Sequence, residues 1–240
     1  MKHFNLNNIR LVLIFVLVLF LYSFTLFRNA HRKLKSSEVL FTGENPAFVK
    51  QQIVNKLLID YKTNVKTIEK DEVFLANVEK TINKHPMISK SEVYLSVDGV
   101  LKVVVTQKIP IGRVFNNKDS FYIDYNGSLM PLSEEETARV PIITGQIQNK
   151  NKDKLVAVLK QIYDDDFLKK NITSLQILSD QSVIMTSRNF DYQIFFGQLI
   201  NIESKFKNYK AFFQKAVEGN LLEKYKTINL IFEHQVVASK

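Results

Sequence analysis

The chain of 240 residues contains no cysteine and no tryptophan, and only seven glycines, five prolines and four histidines. Without cysteine there is no disulfide framework, no thiolate nucleophile and no sulfur-ligated metal, and the absence suits an oxidising compartment without requiring one. The histidines (His3, His31, His85, His234) are scattered and keep no ligand-like spacing to Asp or Glu. His85 reads as a helix-terminal residue that favours the dipole. Asp164-Asp165-Asp166 reads as a solvated helix face rather than a metal site, because consecutive helical residues point in different directions. There is no Gly-rich phosphate loop, nucleophile elbow or zinc motif. No catalytic residue, cofactor, metal site or small-molecule substrate is expected.

Charge is less informative than it looks. The net +9 invites a nucleic-acid reading, but residues 1–35 hold six of the 33 basic residues and none of the acidic ones. The rest carries 27 basic against 24 acidic residues, a net of +3. The excess therefore sits at one end, and no basic stripe interleaved with aromatics marks a nucleic-acid surface.

That basic end surrounds the chain's longest apolar run. Leu11 to Phe27 (LVLIFVLVLFLYSFTLF) is seventeen residues without a charge, between Arg10 and Arg28. As a helix it covers roughly 26 Å, and Ile9 with snorkelling arginines brings it to a bilayer span. A cleaved signal would need a shorter core and small residues at the exit, where Leu26, Phe27, Arg28 and Asn29 stand. A retained anchor over 9–27 is expected, with a tail at 1–8, a basic juxtamembrane segment at 28–36 and the bulk beyond. No Gly-x-x-x-Gly pattern marks a helix-pairing face. Four positive side chains follow the span (Arg28, Arg32, Lys33, Lys35) against Lys2, Arg10 and the terminal amine before it. That count alone leans towards a cytoplasmic bulk and does not decide the orientation.

Residues 37–108 read as β-α-α-β-β, a small sheet with two helices on one face. The expected elements are a strand at 37–41, a helix at 47–60 with the stripe Val49, Ile53, Leu57, Tyr61, and a second helix. Asp71 is that helix's candidate N-cap, and Phe74, Leu75, Val78 and Ile82 share its apolar face. Strands at 91–97 and 101–108 meet at Asp98-Gly99, and a three-residue loop keeps their apolar rows on one face. From 109 the pattern becomes short strands (111–115, 121–125, 128–130, 140–144), a helix at 153–169, and strands at 173–178, 182–187 and 191–196. A helix at 198–217 follows, with the stripe Leu199, Ile202, Phe206, Tyr209, Phe213 and Val217. The last segment, Thr227–Ala238, reads as one long strand. Both an edge and a mid-sheet position fit it, and Glu233 and His234 would discourage uncontrolled pairing. The expected class is α+β: one transmembrane helix, a β-α-α-β-β domain, and a mixed β domain with two helices on an extended sheet.

The residues also carry a resemblance. His85-Pro86-Met87-Ile88, Ser91–Leu95, Leu101–Val105, Lys108–Val114, Tyr122–Gly127, Met130-Pro131 and Val140–Gly145 follow one another in the order and spacing of the FtsQ/DivIB cell-division proteins. Phe196-Gly197-Gln198 and Ile228-Asn229-Leu230 are similar to the Bacteroidetes-type members. The resemblance implies a POTRA domain (37–108) followed by a β domain (109–240). It implies a cytoplasmic tail and a periplasmic bulk at the septum of the inner membrane. The implied activity is non-catalytic scaffolding with the single-span partners FtsB and FtsL, and links to FtsK and FtsW/FtsI. By position, the strand-adding edge corresponds to Tyr225, Lys226, Thr227, Ile228, Asn229, Leu230 and Phe232. Ile228, Leu230 and Phe232 share one face and are expected to fill pockets or pack beneath an incoming strand. A POTRA-type polypeptide-capture module in transport or secretion is the alternative. Against it, such units usually occur in tandem before a barrel, and only one unit is legible here. An anchored extracytoplasmic enzyme is a second alternative.

Overall fold

The computed structural model describes residues 6–30, 36–43, 48–61, 75–116, 119–133, 136–233 and 235–240. The expected N-cap Asp71 and the expected stripe residue Phe74 lie outside these, as do His3, His31 and His234. The chain divides into two compact units, Met1–Gln107 and Lys108–Lys240.

The first unit begins with α1 (Leu6–Ala30). Among the described residues it is the one helix long and apolar enough to cross a membrane, over Ile9–Arg28, and its side chains there are exposed all round. An apolar surface all round the helix is what a lipid solvent requires. Thr25 folds its hydroxyl back onto the Leu21 carbonyl at 2.7 Å, so the one threonine of the run makes no demand on its surroundings.

Next come β1 (Ser36–Thr42), α2 (Gln51–Tyr61), α3 (Leu75–Asn83), β2 (Ile88–Leu95) and β3 (Val100–Gln107). This is the expected β-α-α-β-β order. The sheet runs β1-β3-β2, with β1 parallel and β2 antiparallel to β3. Val39, Val93, Leu101, Val103 and Val105 are buried from the sheet, against Val54, Leu58, Val78 and Ile82 from the helices.

Leu95 pairs with Leu101 and Val93 with Val103 across the loop Val97-Asp98-Gly99, the three-residue loop that the alternation demands. Gly99 takes φ +89°, which closes the turn. Val97 is not on the strand face but in the turn, 86% exposed. The α2 stripe is also displaced: Val54 and Leu58 are buried, while Ile53 and Leu57 are half-buried. The sheet lies one position round from the expected face.

The second unit is a nine-stranded mixed sheet with helices. Its elements are β4 (Pro110–Phe115), β5 (Ser120–Asp124), β6 (Leu129–Met130), β7 (Ile142–Thr144), α4 (Lys152–Asp164), α5 (Asp166–Asn171), β8 (Ile172–Ile177), β9 (Val183–Ser187), β10 (Gln193–Gly197), α6 (Ile202–Glu218), β11 (Thr227–Asn229) and β12 (Val237–Ser239). The sheet order is β12-β11-β10-β9-β8-β7-β4-β5-β6. Leu155, Leu159 and Ile162 of α4 and Phe206 and Tyr209 of α6 bury against Ile143, Leu175, Met185, Ile194 and Phe196 of the sheet.

Three expectations change here. The helix expected at 153–169 breaks at Asp165, which takes an extended backbone (φ −109°, ψ 115°) and caps α5 by accepting the Leu168 N–H at 3.0 Å. The acidic triplet is thus a helix junction rather than one solvated face. The helix expected from 198 starts at Ile202; Leu199 is buried ahead of it and Val217 is 48% exposed. The long strand expected over Thr227–Ala238 is two three-residue strands, β11 and β12, which pair antiparallel with each other.

Candidate partner-binding edge

The two ends of the nine-stranded sheet differ. At one end β6 is two residues long, and the Lys108 ammonium caps it by donating to the Leu129 carbonyl at 3.3 Å. A short edge with a lysine on its carbonyl is poorly suited to accept a strand. At the other end the last strand is β12, with Val237 and Ser239 exposed and Ala238 half-buried.

Just inside that edge lie the residues picked out from sequence. Tyr225 follows a turn of 3-10 helix at Leu222–Lys224 and sets its ring 5.6 Å from Phe212 of α6. Lys226 accepts the Gln193 N–H at 2.9 Å through its carbonyl and donates its own N–H to the Ser239 carbonyl at 2.8 Å. Thr227, Ile228 and Asn229 pair parallel with Gln193, Ile194 and Phe195 of β10, and antiparallel with Ser239, Ala238 and Val237 of β12. The Thr227 and Ser239 hydroxyls are in hydrogen-bond contact. Leu230 donates its N–H to the Phe195 carbonyl at 2.9 Å.

The structure therefore brings 225–230 together in one ribbon, with β12 outside it. Ile228 and Leu230 are fully buried beneath the ribbon, whereas Phe232 has left the strand and is 48% exposed in the following turn. The expectation that all three share one strand face is corrected: the chain turns after Leu230.

That turn is held from two sides. Gly197, at φ +72°, ends β10, and a Cβ there would lie 2.8 Å from Ile231 Cγ1. Asn208 Nδ2 of α6 donates to the Glu233 carbonyl at 2.9 Å, and Asn201 Nδ2, just ahead of α6, donates to Glu233 Oε1 at 3.3 Å. The Asn229 side chain accepts the Ile231 N–H at 2.9 Å. None of these contacts was expected from the sequence. The polar run Glu233-His234-Gln235 is the one signal that a turn interrupts the apolar alternation.

Lys205 is a further residue that no sequence pattern marks. It is 4% exposed, and its ammonium donates to the carbonyls of Phe196 and Gln198, each at 2.8 Å, while standing 4.7 Å from the Phe196 ring centroid. Burial holds its pKa below the usual lysine range. It pins the carbonyls on both sides of Gly197, where β10 and β11 part. Deeper in, the Tyr192 and Tyr209 hydroxyls meet at 2.9 Å, and burial pushes both pKa values up.

None of these groups forms an acid–base pair open to solvent. No group of three or more His, Cys, Asp or Glu that could hold a metal occurs among the described residues. The arrangement offers backbone hydrogen bonds and apolar support, the chemistry of strand addition.

No curated protein matches the chain. Among solved structures it is similar to the major extracytoplasmic domain of the trans isomer of the cell division protein DivIB from Geobacillus stearothermophilus. The identity is 14% and the TM-score 0.30, over 47% of this chain and 96% of that one. A family model described as FtsQ/DivIB, C-terminal related, matches residues 109–239, more than half of the chain, and the protein belongs to that cell-division family.

Proposed function

We propose that this protein is a non-catalytic scaffold of the division machinery. The span at 9–27 tethers it to the inner membrane with the 1–8 tail in the cytoplasm. The bulk lies outside, with 37–108 as a POTRA-like recruiting unit and 109–240 as the docking domain. Its partners are single-span proteins of the FtsB and FtsL kind, with links to FtsK and to an FtsW/FtsI-like complex. They dock by strand addition at the ribbon formed by Tyr225, Lys226, Thr227, Ile228, Asn229 and Leu230, with Phe232 beside it. The observation that carries this reading is the family match over residues 109–239, which spans the whole sheet and its open end.

Two measurements test it. A fluorescent fusion should form midcell bands during constriction, and a uniform membrane signal throughout the cell cycle would reject septal recruitment. Copurification of an FtsB-like protein should fall at least tenfold in Thr227→Pro, which removes an N–H from the side of β11 that faces β12 and spares the pairing with β10. Undiminished copurification would remove this edge from the docking reading. Ile228 and Leu230 are poor places for the test, because substituting either damages the core before it reports on docking.

A further inference from the structure

We infer that β11 is a strand acceptor in its own right, and that β12 is its resident, exchangeable occupant. The inference rests on reading this end of the sheet as the docking edge and specifies how the edge is regulated: a docking strand takes the place of β12 instead of extending the sheet beyond it.

Four observations support exchange. First, β11 does not depend on β12 for its position. It is held by parallel pairing with β10, by the bonds Gln193 N–H to Lys226 O and Leu230 N–H to Phe195 O, and by Ile228 and Leu230 in the core. Second, β12 contributes three residues, none of them buried. Third, the connection has a defined hinge. Ile231 sits against Gly197, and Asn201 and Asn208 hold Glu233 to α6. The chain up to 233 thus stays in place when β12 departs. Fourth, the residue opposite Ile228 is Ala238, a poor strand former, on the core-facing side and only half-buried.

These features define the ligand. It is an extended peptide running antiparallel to β11, with a β-branched aliphatic residue opposite Ile228 and a small hydroxyl residue opposite Thr227. Such a strand buries more apolar surface than Ala238 does and keeps the same ladder. Without an occupant, the backbone groups of β11 would be an unpaired edge, so the resident strand also protects the free protein.

Covalent trapping tests the idea, and the cysteine-free chain makes it clean. The full-length Thr227→Cys protein in detergent is mixed with a synthetic copy of residues 235–240 carrying cysteine at position 239. A second peptide carries the cysteine at 237, out of register. Oxidised glutathione is the oxidant: each interprotein disulfide forms with loss of two thiol protons and reduction of glutathione disulfide to two thiols. The in-register peptide should be captured at least tenfold faster than the other. Adding Ala238→Val to the protein should slow capture severalfold by tightening the resident strand. Equal capture of the two peptides, or no effect of Ala238→Val, overturns the inference. No division protein enters this assay. A positive result with failed copurification would reject the division partners alone, and the converse would reject exchange alone.

Discussion

Lys205 and Phe196 are joined by a hydrogen bond of 2.8 Å from a buried ammonium to a main-chain carbonyl, and the same ammonium reaches Gln198 O at 2.8 Å. Replacing Lys205 with Met keeps the apolar stem but leaves two carbonyls of the β10 exit without this donor. The expected cost is about 1–3 kcal/mol in chemical denaturation. Burial lowers the folded-state pKa, so between that value and the ordinary 10.5 the unfolded chain binds more protons. Wild-type stability should therefore gain from this group as pH climbs through that window, and Lys205→Met should lack the gain. An unchanged denaturation midpoint at neutral pH would show that the two bonds contribute nothing net.

Gly197→Ala should destabilise for two separable reasons. A side chain at φ +72° costs roughly 1–2 kcal/mol, and the new carbon meets Ile231 at 2.8 Å. In a double-mutant cycle, Ile231→Ala should relieve the contact and leave the backbone cost. Strict additivity of the two substitutions would mean the contact is not felt.

His85 gives the first unit a pH response. Its Nδ1 accepts the Met87 N–H at 3.4 Å, and burial lowers its pKa from the ordinary 6.5. Above 6.5 the ring is neutral whether the chain is folded or not, and the group contributes no pH dependence. As pH falls below 6.5 the unfolded chain takes up the proton first, so stability is lost down to the folded-state pKa and then levels. Thermal midpoints between pH 7.5 and 5 should show this slope, and His85→Gln should flatten it. The same slope in the variant would assign it to another group.

Asp165 caps α5 and pairs with Lys210 of α6 at 2.5 Å. Burial alone would push its carboxyl up, but the bonds from Lys210 and the Leu168 N–H outweigh that and hold its pKa below the usual range. Asp165→Ala should cost about 0.5–2 kcal/mol, the range for a lost N-cap. Asp165→Asn should recover part of it by keeping the cap oxygen. If Asn behaves like Ala, the charge pair rather than the cap carries the effect.

The elements legible in the sequence were those whose reasons are local. The β2–β3 register followed from two apolar rows and one glycine, because a one-residue slip would have put Lys102 among valines. The break at Asp165 was not legible, since Asp164-Asp165-Asp166 fits a helix surface as well as a cap until Leu168 supplies the N–H. The break in the last strand has no local mark, because Ile228, Leu230 and Phe232 alternate and Val236 and Val237 resume the apolar pattern. The turn between them is fixed by Asn201, Asn208 and Gly197, all far off in sequence. Lys205 gave no signal at all: a lysine beside an aromatic stripe looks solvated until two carbonyls are found at its tip.

The lysine-capped β6 has a consequence for assembly. Copies of a protein whose sheet is receptive at both ends can join head to tail without limit, as fibres do. Here Lys108 closes one terminus of the nine-stranded sheet, so two copies joined through that sheet's other edge leave no edge of it for a third.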